Sequence, residues 1–129
     1  MTDPYEIIDI VNSMKNSTSA GIDEVSTNIL KSVICYIAGP LSIVINICIV
    51  NGIFPDKMKI AKVCPILKSG PNNQFSNYRP ISVLPSFSKI YEKFITKRLV
   101  SFIELHDIIT PSQYGFRRNH STYIAIMNF

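Results

Sequence analysis

Metal-ligand clusters, disulfide partners and paired acids are all scarce in this 129-residue sequence. Its cysteines, Cys35, Cys48 and Cys64, are odd in number, form no Cys-x-x-Cys pair and sit inside apolar runs. That excludes a disulfide frame and reads as buried thiols in a reducing compartment. An intracellular protein follows, in cytoplasm or nucleus. His106 and His120 have no partner at ligand spacing, which removes a structural zinc site. The aspartates Asp3, Asp9, Asp23, Asp56 and Asp107 are never adjacent. The N-terminus is acidic, with no apolar secretory core. There are no internal repeats and no low-complexity tract.

Apolar residues make up 47% of the chain and charged residues 17%, a balance that fits one globular domain or part of one. The formal net charge is +4, unevenly spread. Residues 1–56 carry two cations and six acids, whereas residues 57–118 carry eleven cations and three acids. An anionic partner would therefore meet the second part. Residues 32–55 carry no charge, a length that could span a bilayer. Gly39 and Pro40 lie mid-run, where lipid offers no replacement hydrogen-bond partner. Two consecutive buried helices explain the run better than a membrane span.

The spacing of Ile7, Ile10, Val11 and Met14 predicts a first helix opened by Asp3 or Pro4. Asp23 is expected to cap a second, with Ser26, Leu30, Val33, Ile34 and Ile37 on one face. Gly39 would end it, and Pro40 would open a third helix, apolar nearly all round and central to the core. Asn51 and Gly52 form a stop signal. A short turn over 56–61 precedes two strands, at 63–67 and 78–83, confined to edges or bulges by Pro65 and Pro80. Ser86 is expected to cap the longest helix, ending near His106. Its buried stripe would be Phe87, Ile90, Tyr91, Phe94, Ile95, Leu99, Phe102 and Ile103. Thr110 to Gln113 has capping-box chemistry, and Ser121 can cap a last helix.

The segment Lys-Val-Cys-Pro-Ile-Leu-Lys at 62–68 is followed by an uncharged loop rich in turn formers at 69–76, then Asn-Tyr-Arg-Pro-Ile-Ser at 77–82. A hairpin built this way brings Lys68 and Arg79 to one side of a nucleotide or phosphate backbone. The bland alternative is a lysine that merely precedes a turn.

Several segments, taken in order, resemble the reverse transcriptases of retrotransposons that lack long terminal repeats, the LINE and jockey-like RNA-directed DNA polymerases. They are Ser-Ala-Gly-Ile-Asp-Glu-Val at 19–25 with Leu30 and Lys31, then Pro40, Leu41, Asn46 and Gly-Ile-Phe-Pro at 52–55. Next come 59–68 and 77–84, Lys-Ile-Tyr-Glu-Lys at 89–93, Arg98 and Leu99, and Gln-Tyr-Gly-Phe-Arg at 113–117 with Ser121, Thr122 and Ala125. The resemblance runs from about residue 7 to the end.

The resemblance implies an α+β, mostly helical piece with a small β-hairpin, the fingers portion of a right-hand polymerase. Residues 1–56 would be a helical lead-in and 57–129 would carry the fingers motifs, with palm and thumb absent. It assigns triphosphate binding to Lys68 and Arg79, and template contact to Gly115, Phe116, Arg117 and Arg118. Without the resemblance Phe116 reads as a core aromatic, Asp23 as a cap, and Lys89, Lys93 and Lys97 as a solvated face. The implied partners are RNA template, DNA primer, a deoxynucleoside triphosphate and the missing palm, with no membrane. The family holds its two catalytic metal ions on an aromatic-Ala-Asp-Asp motif and an upstream Asp, which the resemblance places beyond Phe129. So Mg2+ is expected for the full-length parent, no cofactor for this chain, and no polymerisation by it alone. The alternatives are a non-enzymatic nucleic-acid-binding protein derived from a truncated mobile element, or a helical membrane or protein-interaction module built on 32–55.

Overall fold

The computed structural model describes residues 1–110, 112–117, 119 and 121–127. Along the chain run α1 (Pro4–Asn12), α2 (Thr27–Val50), α3 (Asp56–Lys59), β1 (Lys62–Leu67), a 3-10 turn (Phe75–Asn77), β2 (Tyr78–Val83), α4 (Ser86–Leu105) and α5 (Thr122–Met127). The fold is α+β and mostly helical, with one two-stranded antiparallel sheet. It divides into two compact units, Met1–Phe94 and Ile95–Phe129.

Helix α1 starts where its sequence asks. The Asp3 carboxylate accepts the Glu6 N–H at 2.8 Å, and Pro4 occupies the first turn, where an N–H would have no partner. Ile7, Ile10, Val11 and Met14 are buried against Leu30, Ile34, Ala38 and Ile45 of α2 and Ile90, Tyr91 and Phe94 of α4. The α1 entry is tied to α2 by a reciprocal pair. Asn46 accepts the Thr2 N–H at 2.7 Å and donates to the Thr2 carbonyl at 2.9 Å.

Helix α2 is one helix, not two. Its buried residues Leu30, Ile34, Ala38, Ser42 and Ile45 keep one stripe in register across Pro40, whose ring is exposed. A helix-interior proline costs about 3 kcal/mol. Each buried Leu or Ile contributes about 1.5–3 kcal/mol, and such residues lie on both sides of the break, so burial wins. Gly39 helps, because a Cβ at the residue before proline would clash in helical conformation. The cap also differs from expectation. Ser26 accepts the Ile29 N–H at 3.4 Å, while Asp23 turns the preceding loop by accepting the Val25 N–H at 3.3 Å. The helix stops at Asn51 and Gly52, with Gly52 N–H on the Ile49 carbonyl and Ile53 N–H on the Cys48 carbonyl.

One side of α2 is not wrapped by core. Ile29, Tyr36, Ile43, Ile47 and Val50 are exposed. Cys35 is also exposed, and Cys48 and Cys64 are half-buried, so none is the fully buried thiol expected from its apolar surroundings. By length and composition alone α2 could cross a membrane, yet its other side builds the core with α1.

Helix α4 serves both units. In the first, Ser86 and Ser88 are fully buried, and their hydroxyls leave the helix to bind other segments. Ser86 donates to the Val25 carbonyl at 2.6 Å and Ser88 to the Met58 carbonyl at 2.7 Å. Tyr91 donates to the Ile53 carbonyl at 3.3 Å and meets the Phe54 ring edge-on at 5.0 Å. Burial pushes its phenol above the usual tyrosine value. Ser86 thus anchors a loop where a helix cap was expected. Gly21 lies against the same junction: a Cβ there would stand 2.7 Å from the Pro85 nitrogen.

In the second unit, Leu99 and Phe102 are each 53% exposed and Ile95 is 38% exposed, so the expected buried stripe stops at Phe94. A unit spanning Ile95–Phe129 is too small to cover a face of that size. Ser121 does cap α5, accepting the Ile124 N–H at 3.3 Å. Gln113 N–H bonds the Thr110 carbonyl, and no helix starts there among the described residues.

The sheet explains how two prolines fit in two strands. The register pairs Ile66 with Arg79 and Pro65 with Pro80, and Lys68 N–H continues it onto the Asn77 carbonyl at 2.7 Å. Alternate pairs exchange ladder bonds, so Lys68 with Asn77 and Ile66 with Arg79 are bonded pairs and Pro65 with Pro80 is not. Each proline therefore costs no ladder bond. Its missing N–H would have faced outward from an open edge, where it would invite a further strand.

Two predictions follow from these contacts. Ser86→Ala and Ser88→Ala should each lower stability by about 1–3 kcal/mol, read from urea unfolding, because each strands a part-buried carbonyl; unchanged midpoints would refute the anchoring role. Pro65→Val with Pro80→Val should restore an edge donor on both strands and drive self-association, measured by sedimentation velocity.

Candidate nucleic-acid interface

The hairpin has two chemically different faces. Side chains alternate along a strand, and directly paired residues share a face. Lys62, Cys64, Ile66 and Lys68 therefore lie on one face with Val83, Ile81, Arg79 and Asn77. Val63, Pro65, Leu67, Ser82, Pro80 and Tyr78 lie on the other, which carries no charge. Lys68 and Arg79 are diagonal neighbours, a spacing of about 7–8 Å between backbones and within reach of long side chains. Both are exposed, and neither has a side-chain partner among the described residues. Cys64, Ile81 and Val83, half-buried, sit towards the helix end of the same face.

The connecting loop is held by its own side chains. Asn77 donates to the Pro71 carbonyl at 2.7 Å, and the Tyr78 hydroxyl donates to the Asn72 carbonyl at 3.0 Å. Asn77 N–H bonds the Gln74 carbonyl at 3.1 Å, and Tyr78 N–H bonds the Phe75 carbonyl. A loop of turn formers thereby becomes an ordered cap on the ribbon.

No acid occurs anywhere from residue 57 to residue 91, while Lys57, Lys59, Lys62, Lys68, Arg79 and Lys89 fall in that stretch. Lys59 is neutralised locally by Asp56 at 2.7 Å, and the same contact holds the Asp56 carboxyl below its usual range. Among the described residues, the cations further along the hairpin have no such neighbour. Lys93, on α4, lies 3.4 Å from the Ser13 hydroxyl.

The second group of expected site residues belongs to the other unit. Phe116 is fully exposed with φ 61°, so it is not the core aromatic that its composition suggests. Arg117 donates to the Thr110 carbonyl at 3.4 Å and lines a cavity of about 100 Å³ with Ile103, Glu104, Asp107 and Ile109. Two acids share the lining of this cavity, which makes it a less open anion site than Arg79. Gly115 occupies the turn before Phe116, and its carbonyl accepts from the Gln113 amide at 3.5 Å. Arg118 lies outside the described residues. Among the described residues no three His, Cys, Asp or Glu side chains gather as a metal-holding group.

Sequence reasoning located the two hairpin cations but missed the residues that order the loop between them. Asn77 and Tyr78 read there as motif letters; their side-chain bonds reach back six residues, a distance no periodicity reports. Asn77→Ala should leave the helical signal unchanged yet make the 69–76 loop a faster site of limited proteolysis. An unchanged cleavage rate would mean that the amide does not hold the loop.

No protein-family model matches the chain. Curated proteins do. The chain is 32% identical over 121 residues to a probable RNA-directed DNA polymerase from transposon X-element of Drosophila melanogaster, covering 93% of this chain and 13% of that protein. It is 35% identical over 118 residues to a probable RNA-directed DNA polymerase from transposon BS of the same species, covering 91% and 13%. It is 36% identical over 83 residues to the RNA-directed DNA polymerase from mobile element jockey, also of that species, covering 64% and 9%. The chain thus spans about an eighth of the length of the first two relatives. By sequence, nearly the whole chain is similar to one segment of RNA-directed DNA polymerases of retrotransposons without long terminal repeats.

Proposed function

We propose that this chain is the fingers portion of a right-hand RNA-directed DNA polymerase, supplying contacts to the triphosphate and template while catalysis resides in another segment. The observation that carries the proposal is the placement of Lys68 and Arg79 on one face of a hairpin in a stretch free of acids. A triphosphate is a dense cluster of charge that must be held in one orientation. Arg79 offers a planar fork that matches phosphate oxygens, and Lys68 offers a mobile point charge that adjusts to them. The partners on this reading are an RNA template, a DNA primer and a deoxynucleoside triphosphate. Gly115, Phe116, Arg117 and Arg118 would contribute template contacts.

The chemistry of nucleotide transfer needs carboxylates that hold two divalent ions, which activate the attacking oxygen and stabilise the leaving one. Asp3, Asp9, Asp23, Asp56 and Asp107 are separated in sequence and, among the described residues, do not gather with other ligands in threes. On this reading the acids come from the palm, and the chain by itself holds substrate without joining it.

Fluorescence anisotropy of a labelled single-stranded RNA tests the binding half. Affinity should fall linearly in log–log form with salt, with a slope of about 0.7 for each phosphate neutralised on a single strand. Lys68→Gln with Arg79→Gln should weaken binding and reduce that slope by about one unit or slightly more. Competition by a deoxynucleoside triphosphate should depend on the same two residues. An unchanged slope in the double variant would refute the assignment. Primer extension with magnesium or manganese should yield no product from the chain alone; measurable extension would overturn the division of labour.

A further inference from the structure

We propose that Phe75 is a stacking platform for a base of single-stranded nucleic acid, set in the loop of the hairpin whose strands lead to Lys68 and Arg79. This deepens the reading above and rests on it, because it names the occupant of that hairpin as a nucleic-acid strand rather than a free triphosphate alone.

Phe75 is 96% exposed, and its backbone is nevertheless fixed. Its carbonyl accepts the Tyr78 N–H, and the turn it sits on is closed by Asn77 N–H on the Gln74 carbonyl. The Asn77 and Tyr78 side chains hold Pro71 and Asn72 from the other side of the loop. The ring is therefore presented by an ordered support, so little ordering entropy is lost when something flat covers it. Tyr78 is committed through its hydroxyl to Asn72, which leaves Phe75 as the aromatic that the loop displays.

The surroundings select the occupant. The charged residues that flank the loop are Lys68 before it and Arg79 after it, and the loop itself carries none. An apolar ring flanked by cations, with no acid in the stretch, matches a ligand that alternates flat apolar faces with anionic links. Single-stranded nucleic acid has that chemistry: bases stack on aromatics while the backbone tracks a positive groove. An acidic or apolar protein segment would match only one half of it.

The sequence has no tryptophan, so Phe75→Trp installs a single indole in the loop. The probes are an oligo-uridine RNA and an abasic oligomer of equal length and charge. The indole should be quenched by the base-bearing strand and not by the abasic one. In anisotropy, Phe75→Ala should weaken the base-bearing strand by about 5- to 150-fold and leave the abasic strand unchanged. Phe75→Leu, which keeps apolar bulk without the ring, should not restore affinity. Equal loss for both strands, full rescue by Leu, or quenching by the abasic strand would each overturn the stacking role. If Phe75→Ala changes nothing while Arg79→Gln weakens both strands, the stacking inference falls and the phosphate reading stands. If neither variant changes binding, both fall.

Discussion

Three connecting segments of this chain surrender their carbonyls to one helix end, and the rest of the first unit depends on that capture. The first two turns of α4 present Ser86, Ser88 and Tyr91 to the carbonyls of Val25, Met58 and Ile53. Val25 leads into α2, Ile53 follows it, and Met58 lies in α3 just before β1. A part-buried carbonyl that loses its donor costs up to about 1–3 kcal/mol, so the hydroxyls stabilise these three crossings. A serine mid-helix is ordinarily a weak choice; here its short side chain lets foreign backbone approach closely. Gly21 completes the junction by allowing its loop to lie on the Leu84–Pro85 backbone.

That junction also explains how a two-stranded ribbon stands. A lone hairpin is marginal in water. Here β1 emerges from the segment pinned by Ser88, and β2 runs into the start of α4 itself. Both strands are rooted in the same place, and the far end is closed by the Asn77 and Tyr78 bonds. The ribbon projects its cations from a base held by neutral hydrogen bonds. Its positive face is therefore not consumed by internal ion pairs, and the charge remains available to an external anion. The prolines at the open edges keep that projection from acting as a template for another strand.

The features legible in the sequence were local ones. The α1 stripe and its Asp3 cap, the stop at Gly52, the two strands with their prolines, and the Ser121 cap all follow from chemistry within a few residues. What failed was long-range. Pro40 is a strong local break, and no local signal reveals that packing on both sides outweighs it. Cys35 sits in an apolar run, yet its exposure depends on which neighbour covers that side of α2. The C-terminal half of α4 has the period of a buried stripe but is left half-exposed, because periodicity names a face without naming what covers it. Phe116 failed for the same reason, and the loop-ordering side chains escaped because they act across turns.

The amino-acid order by itself determined the helical and strand periods, the separation of acids from bases, and the ordered set of segments shared with retrotransposon polymerases. These are properties of spacing along a chain. Only the tertiary structure decided that Lys68 and Arg79 share a face, that α2 runs through its proline, and that buried serines hold the connections together. Each of those depends on strand register or on burial, and both are fixed by atoms distant in sequence that meet only once the chain has folded.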